Sequence, residues 1–214
     1  MTTARVAARH RLALLAEGFS PAAEAVRQLR TALFSPAHDG GPRSVLLAPV
    51  TEGLEASTLA AGLGASLARS GRPVVLVDAD LRSPSLHSLL EKPNENGFAN
   101  SLAAGAEAGP PLQTTGVDRL RLLPAGPPVP DPGGLLDAAD LPRILGALRT
   151  DDTVLIAVTS ATRTYADAAM LAPNFDAPIL VVTPGISHRA DLERAHLTIG
   201  RTSAKIAGVA LVER

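Results

Sequence analysis

The chain has 214 residues, of which 46% are apolar and only 2% aromatic, and its formal net charge is −1. This length suits one sizeable α/β domain, whose core must be built from Leu, Val, Ile and Ala. The 20 basic and 21 acidic residues are spread along the chain, so nothing asks for nucleic acid or an anionic lipid surface, and the absence of cysteine excludes disulfides and thiolate metal sites. No run of about 18 apolar residues exists, so no membrane-spanning helix is expected. Residues 1–19 open with "MTTARVAARHRLALLAEG", whose short apolar stretch "LALLA" falls short of a signal peptide; they read as an N-terminal arm or short helix.

Residues 20–214 then read as a single domain. A helix is predicted at about Pro21–Leu33, followed by a strand at Ser44–Ala48, a helix at Ser57–Arg69 and a strand at Pro73–Asp78. The pattern continues with a helix at Leu86–Glu91, a strand at Arg119–Leu123, a helix at Asp140–Arg149 and a strand at Val154–Val158. It closes with a helix at Tyr165–Ala172, a strand at Pro178–Thr183, a helix at His188–Ile199 and a strand at Ile206–Val212. The strands are almost continuously hydrophobic, as in a parallel sheet covered on both faces. The alternation predicts a doubly wound, mostly parallel sheet of about six or more strands with helices on both faces. Ligands of such sheets bind at the carboxyl ends of the strands. The Pro-rich stretch "LPAGPPVPDPGG", residues 123–134, reads as a surface loop.

One stretch raises the functional question. In "LLAPVTEGLEASTLAAGLG", residues 46–64, a strand runs into a short turn and a Ser-Thr pair opens an alanine-rich helix. This is the layout of a P-loop, which reads Gly-Lys-Ser/Thr at the turn. Here those positions hold Glu55, Ala56 and Ser57. Losing the lysine removes a charge-assisted bond of about 1.5–3 kcal/mol, roughly 10- to 100-fold in affinity. Glu55 adds bulk and negative charge where glycine lets backbone approach a phosphate. The positive end of the following helix still favours an anion. Either Glu52 or Glu55 stands in for that anion, or both are solvent-exposed turn residues.

Taken in order, "SPAAEAVRQLRTALF", "RSVLLAPVTEG", "PVVLVDADLRSPSLH", "NENGFANSLAAG", "LRLLPAGPPVPDPGGLL" and "YADAAMLAPNFDAPILVV" make the sequence resemble the bacterial tyrosine kinases of capsule and exopolysaccharide export. The resemblance covers about residues 20–212. It implies a P-loop NTPase-like fold related to the septum-positioning and chromosome-partition ATPases. Aligned on the family, the degenerate P-loop comprises Gly53, Glu55, Ala56, Ser57 and Thr58, with Ala56 at the lysine and Ser57 keeping the Mg²⁺-binding hydroxyl. The second family motif, Asp-x-Asp-x-Arg, is complete as Asp78, Asp80 and Arg82. The resemblance gives those carboxylates the roles of Mg²⁺ ligand and proton acceptor; ordinary turn chemistry explains Asp at a strand end equally well. The Walker B aspartate aligns with Ala157, with one residue inserted before Asp167, and the base-contacting asparagine aligns with Val212.

The resemblance also assigns Glu24, Arg27 and Arg30 to a face that builds a ring of subunits; on spacing alone they are charges along one helical face, a solvated surface pair. His87 and His188 lack metal-ligand spacing and are expected to be solvated. The family phosphorylates a tyrosine-rich tail, whereas this sequence has Tyr165 as its single tyrosine, so tail autophosphorylation is not expected. The expected function is a catalytically degenerate kinase-like subunit, cytoplasmic or peripheral at the membrane through a partner. That partner would be a membrane-spanning chain-length regulator, an intact kinase paralogue, or both, in a homo- or hetero-oligomer. No cofactor is expected. The alternative is a divergent active tyrosine kinase or ATPase that uses ATP, with Mg²⁺ held by Ser57 and Asp78.

Overall fold

A computed structural model describes residues 20–34, 41–105, 109–149 and 152–213; the arm expected at 1–19 lies outside them. Its elements in chain order are α1 (Pro21–Phe34), β1 (Ser44–Pro49), α2 (Glu55–Arg69), β2 (Val74–Asp78), α3 (Leu86–Leu89), α4 (Phe98–Ala104), β3 (Gln113–Thr114) and β4 (Leu120–Leu123). They continue with α5 (Pro132–Ala138), α6 (Leu141–Ala147), β5 (Val154–Val158), α7 (Asp167–Leu171), a 3₁₀ turn (Ala172–Asn174), β6 (Ala177–Val182), α8 (Arg189–Gly200) and β7 (Gly208–Leu211). The seven strands form one sheet in the order β3-β4-β2-β5-β1-β6-β7. All pairings are parallel except β3 with β4.

Strands β1, β2, β5 and β6 are buried at every residue, which is why their sequences are mostly Val, Leu, Ile and Ala, with Ser44, Pro49, Asp78 and Pro178 as the exceptions. Their side chains alternate between two cores. Val45, Leu47, Val74, Leu76, Ile156 and Val158 pack with α2 on one face. Leu46, Ala48, Val75, Val77, Leu155 and Ala157 pack with α4 to α7 on the other. Helix α2 comes close because Gly64 carries no side chain: a Cβ there would lie 3.0 Å from Leu76 Cδ2 and 3.1 Å from Leu120 Cδ1.

Three departures from the sequence reading have local causes. The stretch 123–134 is not a surface loop throughout, because Pro124, Ala125 and Gly126 are buried. Phe98 and Ala99 N–H groups bond the carbonyls of Pro124 and Ala125, and the Asn94 amide pairs with both backbone groups of Gly126. Its last residues open α5, with Asp131 capping Gly134 N and Pro132 in the first turn, where its missing N–H costs nothing. The short α4 and the two-residue β3 were not expected, since neither is long enough to show a period. Helix α2 starts at Glu55, two residues before the expected Ser57.

Candidate functional site

The carboxyl ends of β1, β2 and β5 open onto a cleft of about 240 Å³. Its walls include Glu52, Gly53, Leu54 and Ser57 from the loop after β1, Asp80, Arg82 and Ser83 from the turn after β2, and Val158 to Ala161 with Tyr165 after β5. The loop after β1 is tied to its neighbours on both sides. Pro49 and Val50 carbonyls accept bonds from Thr162 and Arg163 N–H groups, and Thr51 Oγ1 lies 3.0 Å from Ser187 Oγ.

The positions read as a degenerate P-loop fall into two groups. Gly53 and Ser57 line the cleft. Ala56 is buried among Leu59, Ala60 and the α2-facing strand residues, and Thr58 sits in the first helical turn, its N–H bonded to Leu54 O. Ser57 Oγ is 2.6 Å from Ser85 Oγ, so the surviving hydroxyl is already engaged by the β2 turn. Among the described residues no group of three or more His, Cys, Asp or Glu side chains could hold a metal ion.

Asp78 and Asp80 share a motif but not an environment. Asp78 is fully buried, and its Oδ2 accepts from the N–H groups of Ser85 and Leu86, both at 2.9 Å, so it caps the entry to α3. Its Oδ1 has no partner. Burial pushes this carboxyl up to about 7; the Leu86 and Ser85 N–H bonds oppose the rise, and the neighbouring Asp80 charge adds to it. Asp80 lines the cleft, and its Oδ1 accepts from Arg82 N at 3.0 Å and Ser83 N at 2.9 Å, closing a tight turn. Burial raises its pKa as well, against the Ser83 and Arg82 N–H bonds.

Arg82 is not free to meet a ligand. Its Nε and Nη2 donate to the two oxygens of Asp167 at 2.8 and 2.9 Å, and its guanidinium lies 4.1 Å from the centroid of the Tyr165 ring. Ser160 Oγ donates to Asp167 Oδ2 at 2.6 Å. Burial pushes Asp167 up, but the Arg82 and Ser160 bonds outweigh it and the net pKa is lowered. This cluster of Arg82, Ser160, Tyr165 and Asp167 was not legible from spacing, because its members lie up to 85 residues apart. Thr159 is a further cleft residue that no motif announced; it is buried and its hydroxyl has no partner.

Two expected site positions lie elsewhere. Ala157 faces the core of α4 to α7, whereas Val158 lines the cleft and faces the α2 side, so the wall from β5 comes one residue later than the alignment placed it. The cause is the alternation of a strand, in which a one-residue slip exchanges faces. Val212 follows β7 and packs against the α2-side core, its N–H bonded to Val182 O, and it is not among the cleft walls.

On α1, Arg27 Nε donates to Glu24 Oε2 at 2.9 Å within the helix. Arg30 Nη1 donates to the Ser66 carbonyl at 2.9 Å, fastening α1 to the end of α2. His188 is exposed, as expected. His87 is partly buried instead, with Nε2 2.9 Å from Ser88 Oγ, and burial lowers its pKa.

No family model matches the chain. Over 163 residues it is 30% identical to tyrosine-protein kinase CpsD of Streptococcus agalactiae serotype III (strain NEM316), a match covering 76% of this chain and 70% of that protein. The crystal structure of the chimerical protein CapA2B2 superposes with a TM-score of 0.80 at 26% identity, over 95% of this chain and 89% of that one. The septum site-determining protein MinD of Pyrococcus horikoshii OT3, complexed with Mg-ADP, superposes with a TM-score of 0.58 over 79% of this chain and 67% of that one. At 23% identity this last likeness speaks for a shared P-loop NTPase fold alone.

Proposed function

The chain belongs to the bacterial tyrosine-protein kinases, and from that premise we propose that it is a catalytically degenerate member. In this reading it serves as a regulatory or scaffolding subunit of exopolysaccharide or capsule biosynthesis and export. The observation that supports the reading is the start of α2. The lysine position is Ala56, packed into the core, and the glycine position is Glu55, whose carboxylate is folded against Gly53. A P-loop lysine places positive charge between the β- and γ-phosphates, and this loop presents carboxylates instead.

The remaining donors do not fit a magnesium triphosphate. Ser57 and Asp78 are the residues that would have to hold the ion. Ser57 is engaged with Ser85, and Asp78 spends Oδ2 on two backbone N–H groups, which leaves only its buried Oδ1 open. The wall after β5 contributes Val158, Ala161 and the hydroxyl residues Thr159 and Ser160, but no carboxylate. The cleft of about 240 Å³ also falls below the roughly 300–1,000 Å³ usual for small-molecule sites. No cofactor is therefore assigned.

Partners follow from the same reading. Among the described residues no helix is long and apolar enough to cross a membrane. We assign the protein to the cytoplasm and to the inner face of the membrane, held there by a membrane-spanning chain-length regulator, an intact kinase paralogue, or both, within an oligomer. One observation favours the alternative, a divergent active kinase or ATPase: Asp80 and Ser57 still line one cleft.

Calorimetry with ATP and Mg²⁺ decides between the two. The degenerate reading expects no saturable binding in the micromolar range and no rise in melting temperature. Micromolar binding that is lost in Ser57→Ala would sink it. Glu55→Gly combined with Ala56→Lys is expected to recover affinity if these two residues are the main lesions.

A further inference from the structure

The loop between β1 and α2 carries two carboxylates, and the structure uses them differently. Glu52 reaches sideways to the turn before α7, where it accepts from Thr164 Oγ1 and from Arg163 Nη2, the latter at 3.2 Å. The Thr164 bond is the main reason its pKa is lowered. Glu55 turns back on the loop instead: a Cβ built on Gly53 would overlap Glu55 Oε2 and lie 3.0 Å from its Cδ. With a side chain at 53 the carboxylate would have to move from this position.

The place it occupies has an electrostatic demand. Helix α2 is 15 residues long, begins at Glu55, and has Leu54 as its N-cap with no side-chain cap bond. Its first N–H groups and its dipole favour negative charge, and Glu55 is the acidic residue of its first turn.

We propose that the Glu55 carboxylate is the loop's built-in anion. It occupies the place of a phosphate group, keeps the loop formed without nucleotide, and excludes polyphosphate by charge and by bulk. The protein then holds the shape of a loaded P-loop permanently and offers its partners a surface independent of ATP. This inference deepens the reading of the degenerate site and rests on it.

The test uses the full chain and inorganic pyrophosphate, followed by calorimetry. Wild type should show no saturable binding at millimolar pyrophosphate. Glu55→Gly and Glu55→Gln should both bind it, at least about tenfold more tightly than wild type. Glu52→Gln removes the sideways carboxylate and leaves Glu55, so it should stay blind to pyrophosphate. Two Glu55 variants that are folded by circular dichroism yet bind no better than wild type would overturn the proposal. If neither variant folds, amide hydrogen exchange on wild type decides: slow exchange at residues 53–57 without ligand supports the built-in anion, and rapid exchange overturns it. A parallel arm uses ATP with Mg²⁺. Micromolar binding by wild type would overturn the functional reading and this inference together. Blind Glu55 variants beside a wild type that ignores ATP would remove only the built-in anion.

Discussion

The turn after β2, residues 78–85, keeps Asp78, Asp80 and Arg82, whereas the loop after β1, residues 49–57, has Glu55 and Ala56 where a P-loop has glycine and lysine. Both flank one cleft. In the first, each retained side chain makes bonds inside the protein: Asp78 through Oδ2 to α3, with Oδ1 left open, Asp80 to its own turn, and Arg82 to Asp167. In the second the letters differ from the P-loop pattern, and β6 and the turn after β5 tether the path from β1 into α2. On the degenerate reading proposed above, the contrast teaches that a retained residue type need not be a retained ligand. Asp at a strand end and Arg beside a buried Asp can each be kept by folding alone. A loop can likewise outlast its ligand when its own side chains satisfy it.

The largest expected effect lies on the retained side. Arg82→Ala leaves Asp167, whose side chain is 2% exposed, charged and without its bidentate partner. Breaking a buried pair from one end costs about 3–5 kcal/mol. Ser160 still donates one bond, so about 3 kcal/mol is expected, a fall in Tm of roughly 6–12 °C. Arg82→Lys should restore little, because an ammonium cannot make the forked contact or stack on Tyr165. A loss below about 1 kcal/mol in urea unfolding would free Arg82 for a ligand role and erase the contrast.

The next effect depends on pH. The Asp78 carboxyl is raised from 3.8 to about 7, so between those values the folded state holds a proton that the unfolded chain has released. Stability from this group is therefore full below about pH 4 and is lost as pH rises through about 7. Asp78→Asn keeps an acceptor for Ser85 and Leu86 N–H and cannot ionise. The variant should gain on wild type from about pH 4 to about pH 7 and level off above that, by several degrees in Tm. A constant difference over that range would mean that Asp78 is charged throughout, as a magnesium ligand requires.

How far this was readable in advance differs between fold and site. Six strands and the doubly wound order were legible because the strands are almost continuously apolar runs of parallel-sheet length, Arg119 and Arg121 being interruptions. The departure of Glu55, Ala56 and Ser57 from the P-loop pattern is legible in the letters themselves, because the flanking "STLAAGLGASLARSG" fixes the register. The Arg82–Asp167 pair was not, since nothing local links residues 85 apart until the topology brings β2 beside β5. Nor was the exchange of Ala157 for Val158 as the cleft wall, because an apolar run gives no sign of which residue ends the strand. The direction of Glu52, out toward Thr164 and Arg163, needed the neighbouring turn in place.

A smaller effect sharpens the changed side. Glu52 and Arg163 are exposed at the rim, with side-chain exposures of 53% and 41%, and such pairs contribute about 0–1 kcal/mol. Glu52→Gln keeps an acceptor for Thr164, so global stability should move by less than about 1 kcal/mol. Hydrogen exchange should nevertheless quicken at 49–54, because the side-chain link from loop to turn is weakened there. Unchanged exchange would show that the backbone bonds of Pro49 and Val50 hold the loop unaided.

The smallest expected effect on stability lies on α1, where family letters also survive. Glu24 and Arg27 form an i,i+3 pair with exposures of 54% and 38%, worth about 0.2–1 kcal/mol to the isolated chain. Arg30 differs, because its guanidinium is turned inward to the Ser66 carbonyl, and removing it should cost about 1 kcal/mol through the α1–α2 junction. If α1 faces a neighbouring subunit, the burden therefore falls on Glu24 and Arg27. Truncating one member of a desolvated interfacial pair typically costs about 2–5 kcal/mol, several times the intrachain value. Arg27→Ala should then leave Tm of the dilute chain within a few degrees of wild type, because Val26, Leu29 and Leu33 still pack against the α2-side core. The same change should split any oligomer, or any mixed ring with an intact kinase, into smaller species by light scattering. Arg30→Ala should do the reverse, lowering Tm while leaving assembly largely intact. Should Arg27→Ala assemble as wild type does, Glu24 and Arg27 are a surface pair and carry no interface.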